Sequence, residues 1–133
     1  SLTEHDAMKE TISPPRPGVG IDLVRISSIR ESIESFGEKF MRRLFTPDEI
    51  AYACSAPGCT AERLAARFAA KEAARKALRL DGVGWRDIEV RRLPDGACEL
   101  LLHGAARTAA QGRTFALSMS HDGDHATAIV ISL

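Results

Sequence analysis

The stretch from Ala65 to Leu78 constrains this chain most. Alanine, leucine, lysine, arginine and glutamate dominate it, and all are strong helix formers. At about 100° per residue, Ala65, Ala66, Ala69, Ala70, Ala73 and Ala77 gather on one side. A face this smooth predicts a central helix whose backbone packs close to a neighbouring element. Glu72 and Lys76 stand one helical turn apart at the border of that face. They read either as an i, i+4 ion pair of a few tenths of a kcal/mol or as an acid and a base facing a phosphate or an ion.

Two further segments carry chemistry-bearing side chains. Val19-Gly20-Ile21-Asp22-Leu23-Val24 is a β-rich run that alternates Val19, Ile21 and Leu23 with Gly20, Asp22 and Val24. Asp22 is either a strand-end residue facing water or a carboxylate held by a partner or a metal, since a bare charge inside a strand is costly. Ser118-Met119-Ser120-His121 follows the apolar run Phe115–Leu117 and leads into a polar turn.

Turn and cap signals order the rest. Residues 1–17, closing on Ser13-Pro14-Pro15-Arg16-Pro17, are expected to form a flexible N-terminal extension, followed by one domain over 18–133. Ile26, Ile29, Ile33 and Phe36 recur at helical spacing up to Gly37, and Phe40, Met41 and Leu44 add a turn or two. Thr46-Pro47-Asp48-Glu49 is a capping box with proline at the first helical position, predicting a helix from Pro47 to about Ala56. Thr60 is the expected cap of the long helix, which ends before Gly82. Strands are expected around Ile88–Val90 and Leu100–Leu102, joined at Pro94-Asp95-Gly96. A short helix over 105–111 follows, and then a hairpin of 114–119 with 126–132 turning at Asp122-Gly123-Asp124. The pattern is α+β, with a largely antiparallel sheet and a long central helix.

Composition fits one domain of 133 residues, 44% apolar and 27% charged. The formal net charge of zero gives no support to nucleic-acid or membrane binding, and any attraction to an acidic partner must be local. No run reaches the roughly 18 apolar residues of a membrane span. Three cysteines, Cys54, Cys59 and Cys98, suit free thiols in a cytoplasmic protein better than disulfides or a zinc site.

Taken together and in order, Gly20-Ile21-Asp22, the run Arg67-Phe68-Ala69-Ala70-Lys71-Glu72-Ala73 with Lys76-Ala77, and Ser118-x-Ser120-His121 resemble the holo-acyl-carrier-protein synthase type of 4′-phosphopantetheinyl transferase. The resemblance runs from about Val19 to Ile131, and Trp85–Val90 resembles the family's strand after the long helix. It implies a phosphopantetheinyl transferase-like fold. The implied activity is transfer of 4′-phosphopantetheine from coenzyme A to a serine of an apo acyl carrier protein, releasing 3′,5′-ADP. By the same resemblance, Asp22 and Glu72 match the family's Mg²⁺-binding acids. Lys76 matches the lysine facing the diphosphate, and Arg67 and His121 match positions that contact coenzyme A. Glu72, directly or through a metal-bound water, is the implied base. The family site lies between subunits of a homotrimer, so His121 would serve a neighbour's Asp22 and Glu72.

The chain departs from the family at Arg25, usually acidic, at Arg79-Leu80-Asp81-Gly82, usually glycine-rich, and at Gly96-Ala97-Cys98, often Gly-x-Pro. The last alters one wall of the coenzyme A site. Arg25, Arg30, Arg42 and Arg43 are the candidates for an acidic carrier surface, each otherwise a solvated helix residue. The carrier's pathway, whether fatty-acid, polyketide or peptide synthesis, stays open. Two rival readings use the same residues: a metal-dependent nucleotide diphosphate hydrolase, and a non-catalytic coenzyme A-binding subunit.

Overall fold

In the computed structural model, residues 17–133 are described. The expected extension therefore lies outside the described residues, apart from Pro17. The chain begins with strand β1 (Gly18–Arg25) and helices α1 (Ile26–Phe36), α2 (Glu38–Leu44), α3 (Pro47–Cys54) and α4 (Thr60–Leu78). A single 3₁₀ turn, Trp85–Asp87, leads into β2 (Ile88–Arg92) and β3 (Cys98–Leu102). Helix α5 (Gly104–Ala110), β4 (Phe115–Asp122) and β5 (His125–Ser132) complete the chain. The expected α+β class holds, with the strands divided between two antiparallel sheets. One has the order β1-β5-β4, and the other is the β2-β3 hairpin.

Helix α4 lies on the three-stranded sheet with its alanine face inward. Ala65, Ala69, Ala70, Ala73 and Ala74 are fully buried, and Ala77 nearly so. Contact with β1 is backbone on backbone. A Cβ at Gly20 would sit 1.9 Å from the Ala73 carbonyl oxygen, and one at Gly18 would sit 2.0 Å from that of Ala77. Side chains on neither element hold the two apart. The strand alternation then turns Asp22 and Val24 toward the helix side, while Val19, Ile21 and Leu23 face outward.

The helix ends follow their sequence signals with two differences. Thr46 and Glu49 form the full capping box of α3, but the helix stops at Cys54 rather than near Ala56, short of Pro57-Gly58. Cys59, not Thr60, occupies the N-cap of α4, and no side chain caps it. Gly37, at φ 58°, separates α1 from α2 as expected. The N-terminus of α1 is capped from a distance. Asp124, in the β4–β5 turn, accepts from the Ser27 amide at 2.9 Å and the Ser27 hydroxyl at 2.6 Å. Those hydrogen bonds from Ser27 hold the Asp124 carboxyl below the usual aspartate range.

A buried polar network ties α4 to α3 and β2. Lys71 and Glu49 are both fully buried and pair at 2.7 Å. Lys71 also donates to the carbonyls of Trp85 at 3.0 Å and Ile88 at 2.5 Å. The other Glu49 oxygen accepts from the Val90 amide at 2.9 Å. Burial pushes the Lys71 pKa down, and the Glu49 carboxylate opposes that shift. Glu89 extends the network, accepting from the Thr46 hydroxyl at 2.7 Å and meeting His103 Nε2 at 2.8 Å. Burial alone would raise the Glu89 pKa, but the bonds from Thr46 and His103 outweigh it and hold the carboxyl below the ordinary glutamate range. Every strong acceptor and donor here has a partner, which is what keeps such a buried pair from destabilising the core.

Candidate functional site

Asp22 and Lys76 meet where β1 crosses α4. Lys76 Nζ is 3.1 Å from Asp22 Oδ1 and donates to the Ile21 carbonyl at 2.8 Å. Asp22 is therefore not a strand-end residue turned to water; its side chain is 20% exposed and that of Lys76 is 53% exposed. Of the two readings of Glu72 and Lys76, the i, i+4 ion pair is not formed among the described residues. The lysine instead reaches across to the strand, where a carboxylate and a carbonyl together offer more than Glu72 alone. Glu72 is half-buried one turn below Lys76 and has no side-chain partner among the described residues. The result is an Asp22–Lys76 pair at the α4–β1 seam, with the Glu72 carboxylate one helical turn from Lys76.

Arg67 and His121 lie elsewhere. Arg67 is nine residues before Lys76, so at about 100° per residue the two point to opposite sides of α4. His121 Nε2 pairs with Glu62 Oε1 at 2.9 Å, near the start of the same helix. Arg67 and His121 line one cavity of about 360 Å³ that also holds Tyr52, Arg63, Arg92 and Cys98. The structure thus brings Asp22 and Lys76 into contact, with Glu72 one helical turn from Lys76, and sets Arg67 with His121 on the other side. A single chain does not bring the two sets together.

The cavity holds residues that the sequence did not single out. Three guanidiniums stack on the Tyr52 ring, Arg63 at 4.2 Å, Arg67 at 4.4 Å and Arg92 at 5.5 Å from its centroid. Arg63 also donates to the Tyr52 carbonyl at 2.8 Å and the Ser55 hydroxyl at 3.0 Å. Arg67 is 4% exposed, and its Nε is buried without a hydrogen-bond partner. Burial lowers its pKa, yet a guanidinium keeps its proton throughout the working pH range. None of the three forms an ion pair with a carboxylate among the described residues. Arg67 also donates from Nη1 to the Arg63 carbonyl at 3.4 Å, and guanidiniums clustered in this way suit an anionic group such as a phosphate.

The outer face of the three-stranded sheet is apolar. Val19, Ile21 and Leu23 are 65%, 62% and 65% exposed, and Ile129 and Ile131 beside them are each 37% exposed. Val19 pairs with Ile131 and Ile21 with Ile129, so these side chains form one contiguous patch. Among the described residues, no helix is long and apolar enough to cross a membrane. No group of three or more His, Cys, Asp or Glu side chains among them is placed to hold a metal ion. A metal held by protein here would have two carboxylates and take its other ligands from substrate and water.

Comparison with known proteins gives the family and the fold. Residues 18–130 match the 4′-phosphopantetheinyl transferase superfamily. The chain belongs to that superfamily. Within it, the sequence is 47% identical over 120 residues to a holo-[acyl-carrier-protein] synthase of Koribacter versatilis, covering 86% of this chain and 95% of that one. The fold superposes on a Chronobacterium ammoniagenes ACPS–coenzyme A complex with a TM-score of 0.81 at 34% identity, covering 90% of this chain and 98% of that one. A Helicobacter pylori holo-[acyl-carrier-protein] synthase in complex with coenzyme A superposes with a TM-score of 0.77 at 29% identity, covering 86% and 99%.

Proposed function

We propose that this chain is a Mg²⁺-dependent holo-acyl-carrier-protein synthase whose chemistry rests on Asp22, Glu72 and Lys76 in the domain formed by residues 18–133. The reaction moves 4′-phosphopantetheine from coenzyme A to a serine hydroxyl of an apo carrier protein. The observation that carries this reading is the Asp22–Lys76 contact at 3.1 Å, one helical turn from Glu72, which has no partner among the described residues. Two acids and one cation at one seam are what a diphosphate cleavage needs, alongside membership of the transferase superfamily.

Lys76 is exposed enough to leave Asp22 for a phosphate oxygen, where it stabilises charge on the departing 3′,5′-ADP and supplies it with a proton. Glu72 has no partner to displace among the described residues and accepts the serine proton as the new oxygen–phosphorus bond forms and the diphosphate bond breaks. Asp22 and Glu72 suit Mg²⁺, which takes one or two carboxylates plus phosphate and water oxygens, and the ion supplies charge neutralisation on the diphosphate. The Arg67–His121 cavity takes the nucleotide end of coenzyme A, with the guanidiniums facing its phosphates.

We assign the homotrimer as the active form. Its support is the division of the site between opposite sides of α4, together with the apolar sheet patch that needs covering. A neighbour's Arg67 and His121 then complete the seam of each Asp22, Glu72 and Lys76. The acidic carrier docks on Arg25, Arg30 and Arg43, all exposed, and on Arg42, which holds Glu38 at 3.0 Å. Three free cysteines fit the cytoplasm as its place of action.

The test is incubation with Mg²⁺, coenzyme A and an apo carrier protein, followed by mass spectrometry of the carrier. Gain of the phosphopantetheine mass supports the transferase. Coenzyme A cleavage without that gain supports a hydrolase, and binding without turnover supports a non-catalytic subunit.

A further inference from the structure

Tyr52 stands on α3 three residues after Glu49, so both point to one side of that helix. Glu49 is held by Lys71 and by the Val90 amide, and that anchorage sets where the Tyr52 ring sits. The half-buried ring carries the guanidiniums of Arg63 at 4.2 Å, Arg67 at 4.4 Å and Arg92 at 5.5 Å from its centroid. All four side chains line the cavity of about 360 Å³. Arg63 and Arg67 are i, i+4 neighbours of like charge, a spacing that works against their coming together. Their hydrogen bonds go to neutral acceptors: Arg63 to the Tyr52 carbonyl and Ser55 hydroxyl, Arg67 to the Arg63 carbonyl. The acid that lines the cavity, Glu62, pairs with His121 at 2.9 Å rather than with a guanidinium. A carboxylate would hold the arginines by cancelling their charge. The electron-rich face of an aromatic ring attracts them without cancelling it, so the positive charge stays available to an anion.

We propose that Tyr52 is a positioning residue: its ring gathers the three guanidiniums into one cluster, and that cluster's charge sets the affinity for the nucleotide end of coenzyme A. This rests on the nucleotide reading of the cavity given above. Arg63 and Arg67 belong to α4 and Arg92 to the end of β2, so the ring is the common element that brings two secondary structures to bear on one anion. No proton moves to or from Tyr52, and no bond to it forms. Binding is its whole contribution, and the chemical step at Asp22, Glu72 and Lys76 does not depend on it. Without the ring, the like charges spread toward water, which screens them. An incoming phosphate must then gather and order the arginines itself, and its affinity falls by that cost.

The experiment compares the full chain carrying tyrosine, phenylalanine, 3,4,5-trifluorophenylalanine or leucine at position 52. Calorimetry measures binding of 3′,5′-ADP to each. Fluorine withdraws charge from the ring face while keeping its shape and apolar character, so it separates attraction for cations from simple packing. Tyr52→Phe should bind within about twofold of the wild type, and the trifluoro ring and Tyr52→Leu about fivefold to tenfold more weakly. In turnover, the same changes should raise KM for coenzyme A and leave kcat near normal. Equal affinity of the phenylalanine and trifluoro proteins makes the ring a spacer and overturns the proposal, even where Tyr52→Leu binds weakly or fails to fold. A fall in kcat with KM unchanged overturns it as well. Wild-type protein that binds no 3′,5′-ADP removes the nucleotide reading and the proposal with it, whereas wild-type binding that no ring change moves removes the proposal alone.

Discussion

Lys76 bonds to Asp22 at 3.1 Å across the α4–β1 seam, passing over Glu72, its nearest acid on the same helix. That choice leaves the two carboxylates in unlike states. Asp22 is engaged and mostly covered, whereas Glu72 is half-buried and unpaired among the described residues. An unpaired carboxylate can take a proton without first breaking an ion pair, so the two acids suit different parts of one reaction.

Lys76→Met tests whether the cation acts on substrate. The pair is partly exposed, and such pairs contribute about 0.2–1 kcal/mol. Melting should stay near normal. Loss of a charge that stabilises a transition state costs several kcal/mol, so turnover should fall roughly a hundredfold or more. A Met variant that transfers phosphopantetheine at near the normal rate makes Lys76 a structural residue.

Asp22→Asn and Glu72→Gln should each remove most metal-dependent turnover while leaving the circular dichroism spectrum unchanged. Both keep side-chain size and remove charge. Titration of activity with Mg²⁺ separates the roles: a rise in the concentration needed points to metal binding, and a fall in the plateau points to proton transfer. Unchanged metal dependence in both variants would contradict the shared site.

Ile21→Lys should dissociate the assembly. Ile21 sits in the middle of the exposed sheet patch, and a buried unpaired ammonium there costs several kcal/mol per interface. Sedimentation should show monomers with native secondary structure, and turnover should fall with the loss of the neighbour's Arg67 and His121. A wild-type chain that sediments as a fully active monomer ends the trimer assignment.

The Glu89 carboxyl gives an acid-side prediction. Its folded pKa is depressed, so its contribution is complete above the unfolded value of about 4.3 and is lost as pH falls through the lower folded value. Urea midpoints of the wild type should therefore drop more steeply below about pH 5 than those of Glu89→Gln. Asp124 contributes with the same sign in both proteins and cancels in the comparison. Parallel pH profiles would mean that the Thr46 and His103 bonds do not stabilise the charged form.

Much of this architecture was legible from local rules. The capping box at Thr46, the alanine face of α4 and the hairpin turn at Gly96 each depend on residues close in sequence. Contacts between distant residues were not. Asp124 caps a helix that begins almost a hundred positions earlier, and nothing in the turn's own sequence points there. The Lys71–Glu49 pair was hidden because both residues also satisfy local helix patterns, and only tertiary packing buries them. Arg63 and Arg92 have no fixed spacing from Tyr52, so their stacking left no linear trace. The Asp22–Lys76 pair left no linear trace either, because helix spacing says which side chains can meet, not which partner a neighbouring strand brings.

The direct contact of β1 with α4 also sets a limit on tuning. Gly20 meets the Ala73 carbonyl with no room for a single carbon, so the gap between strand and helix equals the thickness of two backbones. Most sites adjust their dimensions by exchanging one packing side chain for another. This seam has no such side chain to exchange. The backbones of Asp22, two residues along from Gly20, and Lys76, one turn beyond Ala73, inherit their separation from peptide geometry itself, while the Lys76 side chain stays free to move. Changes elsewhere in the core can loosen the protein without altering that ruler, whereas one methyl group at Gly20 would alter it at once.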